Sequence, residues 1–264
     1  MPAPSTPPFR APPPRVEFLG LHFNAWEVEE VAAWLAARSA ASRYGYVVTP
    51  NVDHLVRLGE AAAPVRRAYD GAALVLCDSR VLARLARWAG VRLAVVPGSD
   101  LTALLFARLL GPGDRLCLIG GGEGDGARLE GLYPGVSIVQ HRPAMGLLHD
   151  AAARARAVDT AVAAQARFTL FAVGSPQQEL LACEMAARAD ARGTGLCIGA
   201  STDFLLGRQR RAPRLVQRLS LEWGWRLLTQ PRRLARRYLV EGPAIFPLVW
   251  RWRRATESRR DRLK

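Results

Sequence analysis

Leu116-Cys117-Leu118-Ile119-Gly120-Gly121-Gly122-Glu123-Gly124-Asp125-Gly126 places an apolar run directly before a glycine-rich stretch. An apolar run without polar alternation reads as a strand buried on both faces, and the glycines after it as the turn into a helix. Backbone N–H groups in such a turn can approach a diphosphate at the positive end of the helix, or the turn can be plain connecting structure. The loop lacks the Lys-Ser/Thr ending of a P-loop, and no acidic ribose partner follows roughly twenty residues on.

Similar runs recur on both sides of it, at Tyr46-Val47-Val48, Ala73-Leu74-Val75-Leu76, Val136-Ser137-Ile138-Val139, Phe168 to Val173 and Leu196-Cys197-Ile198. Helix-period segments lie between most of them: Val52 to Glu60, Ser79 to Trp88, Asp100 to Leu110 and Pro176 to Ala191. The pattern predicts an α/β fold, Rossmann-like, with a mainly parallel sheet flanked by helices. Ligands of such sheets bind outside the carboxyl ends of the strands. Five polar loops should therefore converge on one rim: Thr49 to Asn51, Cys77 to Ser79, Gly120 to Gly126, Gly174 to Glu179 and Gly199 to Asp203.

The charge is concentrated at one end. From Gly207 to Lys264 the chain has sixteen arginines and one lysine against Glu222, Glu241, Glu257 and Asp261, which accounts for +13 of the net +14. Residues 1–206 are nearly neutral, with 20 bases and 19 acids. The expected organisation is a disordered Pro-rich leader over 1–15, a catalytic core over 16–206 and an arginine-rich, amphipathic helical C-terminal appendage over 207–264. In the appendage Leu215, Leu219, Trp223 and Leu227 form one apolar stripe among arginines, a pattern suited to an anionic membrane surface. A packed extension and a nucleic-acid arm are the other readings; the tryptophans and the lack of a nucleic-acid motif weigh against the last. The leader has no apolar h-region, and no apolar run reaches the roughly 18–20 residues of a membrane span. Cys77, Cys117, Cys183 and Cys197 lie in apolar surroundings without a C-x-x-C pair, as reduced thiols of a cytoplasmic protein would.

Among polar candidates, Asp78 can cap the helix that follows it or act as a general base at the crevice mouth. Asn51 and Asp53 suit a cap and turn, and His54 a helix surface. Pro176 and Glu179 fit the start of a helix, leaving Gln178 without a structural role. No Asp-x-Asp pair is present, and His22, His54, His141 and His149 show no metal-ligand spacing, so the expectation is chemistry without metal or other cofactor.

In order and spacing, several segments together resemble the bacterial WecG/TagA/CpsF family of glycosyltransferases. They are Thr49-Pro50-Asn51-Val52-Asp53-His54-Leu55, Leu76-Cys77-Asp78-Ser79, Pro97-Gly98-Ser99-Asp100-Leu101, Leu118-Ile119-Gly120-Gly121, Tyr133-Pro134-Gly135, Gly174-Ser175-Pro176-Gln177-Gln178-Glu179 and Ile198-Gly199-Ala200-Ser201-Thr202-Asp203-Phe204. The most specific is Arg211-Ala212-Pro213, continuing to Leu221-Glu222-Trp223, Arg226-Leu227 and Pro231-Arg232-Arg233. The resemblance implies inverting, metal-independent transfer of a hexose or N-acetylhexosamine from a UDP-sugar to a polyprenyl-diphosphate-linked saccharide. The enzyme would work peripherally, on the inner face of the cell membrane. It assigns Asp78 as general base, and places Thr49, Asn51 and Gln178 around the sugars, Asp203 at the nucleoside and Gly120, Gly121 and Gly122 at the donor. Arg226, Arg233 and Arg236 match appendage arginines that would meet a diphosphate. Ser79 stands where the family usually has glycine, and Val95 where many members have arginine. These two departures leave room for a noncatalytic, membrane-bound nucleotide-sensing scaffold of the same fold.

Overall fold

The computed structural model describes residues 15–261, except 210, 211, 214, 217, 218 and 220; the side chains of 233, 260 and 261 are likewise outside the description. The Pro-rich leader thus falls outside the described residues, apart from Arg15, which opens a strand.

A β-hairpin comes first, β1 (Arg15–Phe18) pairing antiparallel with β2 (Leu21–Asn24). Six strands then form one parallel sheet: β3 (Gly45–Val48), β4 (Leu74–Val75), β5 (Arg115–Gly120), β6 (Ser137–His141), β7 (Phe168–Ala172) and β8 (Thr194–Cys197), in the order β4-β3-β8-β7-β5-β6. The strand register explains why the sequence runs are continuously apolar. Leu74, Val47, Leu196, Leu170 and Leu118 lie in one row across five strands, and Val75, Val48, Cys197, Phe171 and Ile119 in the next. Successive residues point to opposite faces of a sheet, so the two rows feed two separate cores. The first row packs with α1 (Val28–Ala36), α5 (Gly98–Leu104) and α6 (Asp125–Leu132). The second packs with the hairpin, α2 (Val52–Leu58), α3 (Ala63–Asp70), α4 (Arg80–Trp88), α7 (Ala151–Ala163) and α8 (Gln177–Ala186). All four cysteines are free; three are buried and Cys183 is half-buried.

The appendage follows α9 (Ser201–Leu205) and contains the helices Glu222–Thr229, Pro231–Ala235 and Ile245–Asp261, with a wide π turn over Arg236–Glu241. It is not a detached tail. Ile245 and Val249 of the last helix are buried in the second core, and the Trp252 ring meets Phe18 edge-on at 5.1 Å. Arg253 stacks over Trp88 at 4.5 Å. The expected apolar stripe is not one continuous helix: Leu219 and Leu221 lie outside helices, and Leu215, Leu219 and Trp223 are all exposed.

Gly120 ends β5 with φ +100°, and a Cβ there would sit 2.7 Å from the Ala172 carbonyl oxygen of β7. Its glycine character thus serves strand-to-strand approach. Gly120→Ala combines left-handed strain with overpacking, and the expected loss is about 2–4 kcal/mol in chemical denaturation; unchanged stability would contradict this reading.

Candidate active site

A cavity of about 640 Å³ lies between the carboxyl ends of β4, β3, β8 and β7 and the appendage. Its size is that of a small-molecule site. Four of the five polar loops meet there, contributing Thr49 and Asn51, Asp78 and Ser79, Gly174 and Gln178, and Gly199 to Ser201. The appendage adds Glu222, Trp223, Arg226, Arg237 and Tyr238 as a roof. Arg80 donates to Glu222 at 2.8 Å and Arg84 to the Leu219 carbonyl at 3.2 Å, which ties this roof to α4.

The fifth loop does not line the cavity. β5 stands outside β7 in the strand order, so Gly120, Gly121 and Gly122 open one strand further along. Their surroundings are already satisfied. The buried Asp125 carboxylate accepts from the Gly122 N–H at 2.7 Å and takes the Arg208 guanidinium on both oxygens. The Arg208 hydrogen bonds hold the Asp125 carboxyl below the usual carboxylate range. Asp203, expected near the nucleoside, also sits outside the lining: it pairs with Arg208 at 3.3 Å and accepts from Gln209 at 3.0 Å.

Asp78 lines the cavity, as do the acids Asp53, Asp100 and Glu222. It does not cap α4; that role belongs to Ser79, whose hydroxyl accepts from the Leu82 N–H at 3.2 Å. Ser79 therefore has a structural use of its own. Asp78 Oδ1 instead accepts from the Gly98 N–H at 3.1 Å. Burial pushes its carboxyl up to about 7, opposed by the Gly98 hydrogen bond, the Arg226 charge and the Asn51 amide, and reinforced by the nearby Asp100 carboxylate. A carboxyl so placed titrates near neutrality, as a general base requires.

The residues around it are held firmly. Asn51 caps α2, accepting from the Asp53 N–H at 3.1 Å. Thr49 is buried, and its hydroxyl donates to the Cys197 carbonyl at 3.4 Å. Gln178, contrary to expectation, is structurally engaged. Its Oε1 accepts from the Gly199 N–H at 2.8 Å and its Nε2 donates to Glu179 at 2.8 Å, which joins the β7 and β8 loops. Burial pushes the Glu179 carboxyl up, against the stabilising Gln178 hydrogen bond. His54 lines the cavity and is not a surface residue; burial, and next the Arg237 charge, lower its pKa to about 3, so the imidazole is neutral.

The matched appendage arginines divide. Arg226 lines the cavity, as does the neutral Val95. Arg236 does not line it; its side chain is 85% exposed and pairs with Glu241 at 3.0 Å. Arg233 lies in the helix Pro231–Ala235, with its side chain outside the described residues. Sequence reasoning missed Arg237, which does line the cavity and pairs with Asp53 at 3.2 Å. Successive residues of a helix point about 100° apart, so of two adjacent arginines only one faces the cavity.

Fold and crevice together define an α/β protein whose ligand site sits at the carboxyl edge of a parallel sheet. A finer assignment comes from comparison: the family model of the WecG/TagA/CpsF glycosyl transferases matches residues 16–259, and the chain belongs to that family. Donor and acceptor sugars are accordingly the substrates of its class.

Proposed function

We propose that the protein transfers a hexose or N-acetylhexosamine from a UDP-sugar to a hydroxyl of a polyprenyl-diphosphate-linked saccharide, with inversion at the anomeric carbon. The observation that carries this reading is the Asp78 carboxyl, poised at about 7 within a cavity that also holds Arg226. Asp78 takes the proton of the acceptor hydroxyl as its oxygen attacks the anomeric carbon. The bond from that carbon to the β-phosphate oxygen breaks, and its electron pair leaves on UDP. Arg226 is placed to stabilise that charge, in the manner of a preorganised oxyanion site. Thr49, Asn51 and Gln178 orient the sugars.

The lipid part of the acceptor is supported by the cavity mouth. Trp223, Leu239 and Phe246 line the cavity and are 41%, 59% and 58% exposed, with Leu228 and Val240 exposed on the same appendage. Among the described residues no helix is long and apolar enough to cross a membrane. Peripheral attachment through this apolar, arginine-bordered face, on the inner side of the membrane, is the corresponding reading.

Because the base must be ionised, kcat/KM should rise with pH through about 7 along a limb that reports the free enzyme. A flat profile from pH 5 to 9 would contradict the assignment of Asp78. The function itself is tested by incubating the protein with detergent-solubilised polyprenyl-diphosphate saccharides and a panel of UDP-sugars, with UDP release and product mass as readouts. Acceptor-dependent release with one donor supports it; release with none, across acceptors, overturns it.

A further inference from the structure

A second hollow, of about 600 Å³, lies along α4 beside the catalytic cavity, and Arg80 and Val95 line both. Among the described residues that line it, four are cations, Arg80, Arg84, Arg87 and Arg92, and one is an acid, Glu27. The charge belongs to this helix and not to composition at large: α4 carries three arginines and no acid, whereas residues 1–206 are nearly neutral. Positions 80, 84 and 87 are spaced i, i+4, i+7, which puts the three side chains on one helix face, along about 10 Å at about 1.5 Å per residue. Like charges at this spacing weaken a helix. Two of them are engaged within the protein, Arg80 with Glu222 at 2.8 Å and Arg84 with the Leu219 carbonyl at 3.2 Å. Arg87 and Arg92 are exposed and have no hydrogen-bond or ion-pair partner among the described residues. The row begins two residues after Asp78 and ends beside Trp88, which is 52% exposed and lies under the guanidinium of Arg253 from the last helix.

We propose that this cleft is an acceptor subsite for an acidic saccharide, whose carboxylates pair with Arg84, Arg87 and Arg92 while the reacting hydroxyl lies at Asp78. The proposal rests on reading the adjacent cavity as a glycosyl-transfer site. Because the two hollows share Arg80 and Val95, one extended ligand can occupy both. The steps of the row, three or four residues at about 1.5 Å each, are close to the length of one hexose unit, and the whole row is longer than a single diphosphate. A planar guanidinium also matches the two oxygens of a carboxylate. The rest of the lining, Ala25, Ala83, Leu93 and Ala94 beside Val95, has no aromatic ring to stack a base. A bilayer would need large apolar side chains among the charges, and those exposed at the cavity mouth, Trp223, Leu239 and Phe246, belong to the appendage. Contacts to parts of the acceptor that do not react are equal in the ground and transition states, so the cleft should lower KM for acidic acceptors and leave kcat unchanged.

The test is calorimetric titration of the full-length protein, and of the double variant Arg87→Gln with Arg92→Gln, with tetragalacturonate, its methyl ester, inorganic diphosphate and UDP, with flotation on phosphatidylglycerol vesicles alongside. Both substituted side chains are exposed and unpartnered, so the variant should unfold like wild type. An exposed ion pair is worth about 2–5-fold in affinity, so the variant should bind tetragalacturonate about 4–25-fold more weakly. Wild type should prefer the acid to its uncharged ester, lose that preference in high salt, and bind UDP as the variant does. Equal affinity for acid and ester, or for wild type and variant, would overturn the subsite, and UDP binding retained in the same titrations would leave the transfer reading standing. Tetragalacturonate binding that depends on Arg87 and Arg92, in a protein that binds no UDP, would overturn the transfer reading and leave the acidic-saccharide site in place. Losses in the variant confined to diphosphate or to vesicles would overturn the subsite as well, and make the cleft a diphosphate or a membrane contact respectively.

Discussion

Asp78→Asn should lower turnover by about 10²–10⁴-fold while donor binding persists, since only proton acceptance is removed. The same change should make the protein more stable at alkaline pH. The folded state raises the Asp78 pKa from 3.8 to about 7, so the native protein holds this proton more tightly than the unfolded chain does. Stability from this residue is therefore full below about 4, falls as pH rises through about 7, and is flat above. Asparagine abolishes that dependence. At pH 8 the variant should gain up to ~4 kcal/mol over wild type, at about 1.4 kcal/mol per pKa unit. Urea unfolding at pH 5 and pH 8 reads the effect. An inactive variant that was also less stable at pH 8 would mean that Asp78 is chiefly structural.

Deletion of residues 208–264 should abolish transfer and also damage the fold. The first half follows from the roof: Arg226, Arg237 and Trp223 all belong to the appendage. The second half follows from how the last helix packs against the core. Ile245 and Val249, 2% and 1% exposed, complete the second core, and each buried aliphatic side chain is worth about 1.5–3 kcal/mol. Their loss alone approaches the lower end of the 5–15 kcal/mol typical of a whole domain. Exposure of Phe18, which Trp252 meets edge-on, adds to it. The deleted protein should bind hydrophobic dyes and unfold without cooperativity. A soluble, cooperatively folding and active deletion would contradict both halves.

The parallel sheet was legible because each strand is buried on both faces, which leaves continuous runs such as Leu116 to Ile119. The hairpin was not, because β1 and β2 carry only two alternating apolar residues apiece, Val16 and Phe18 against Leu21 and Phe23. Four rim loops were placed correctly from the rule that ligands bind beyond strand carboxyl ends. The fifth failed because its position depends on strand order, and nothing in a single run reveals that β5 lies outside β7. Glycine richness at Gly120 to Gly122 was ambiguous for the same reason. The tight approach of Gly120 to Ala172 and the Asp125–Arg208 pair both depend on distant residues. Asp78 was found by position, but its competition with Ser79 for the cap of α4 could only be decided by geometry. Arg237 hid among neighbouring arginines, because composition does not tell which of Arg232, Arg233, Arg236 and Arg237 faces the cavity.

A crystal structure of the protein with UDP would locate the donor outright. The diphosphate is expected beside Arg226, its terminal oxygen facing the Asp78 side of the cavity. UDP bound instead along Gly120 to Gly122, with the cavity beneath the appendage empty, would refute the proposed transfer site.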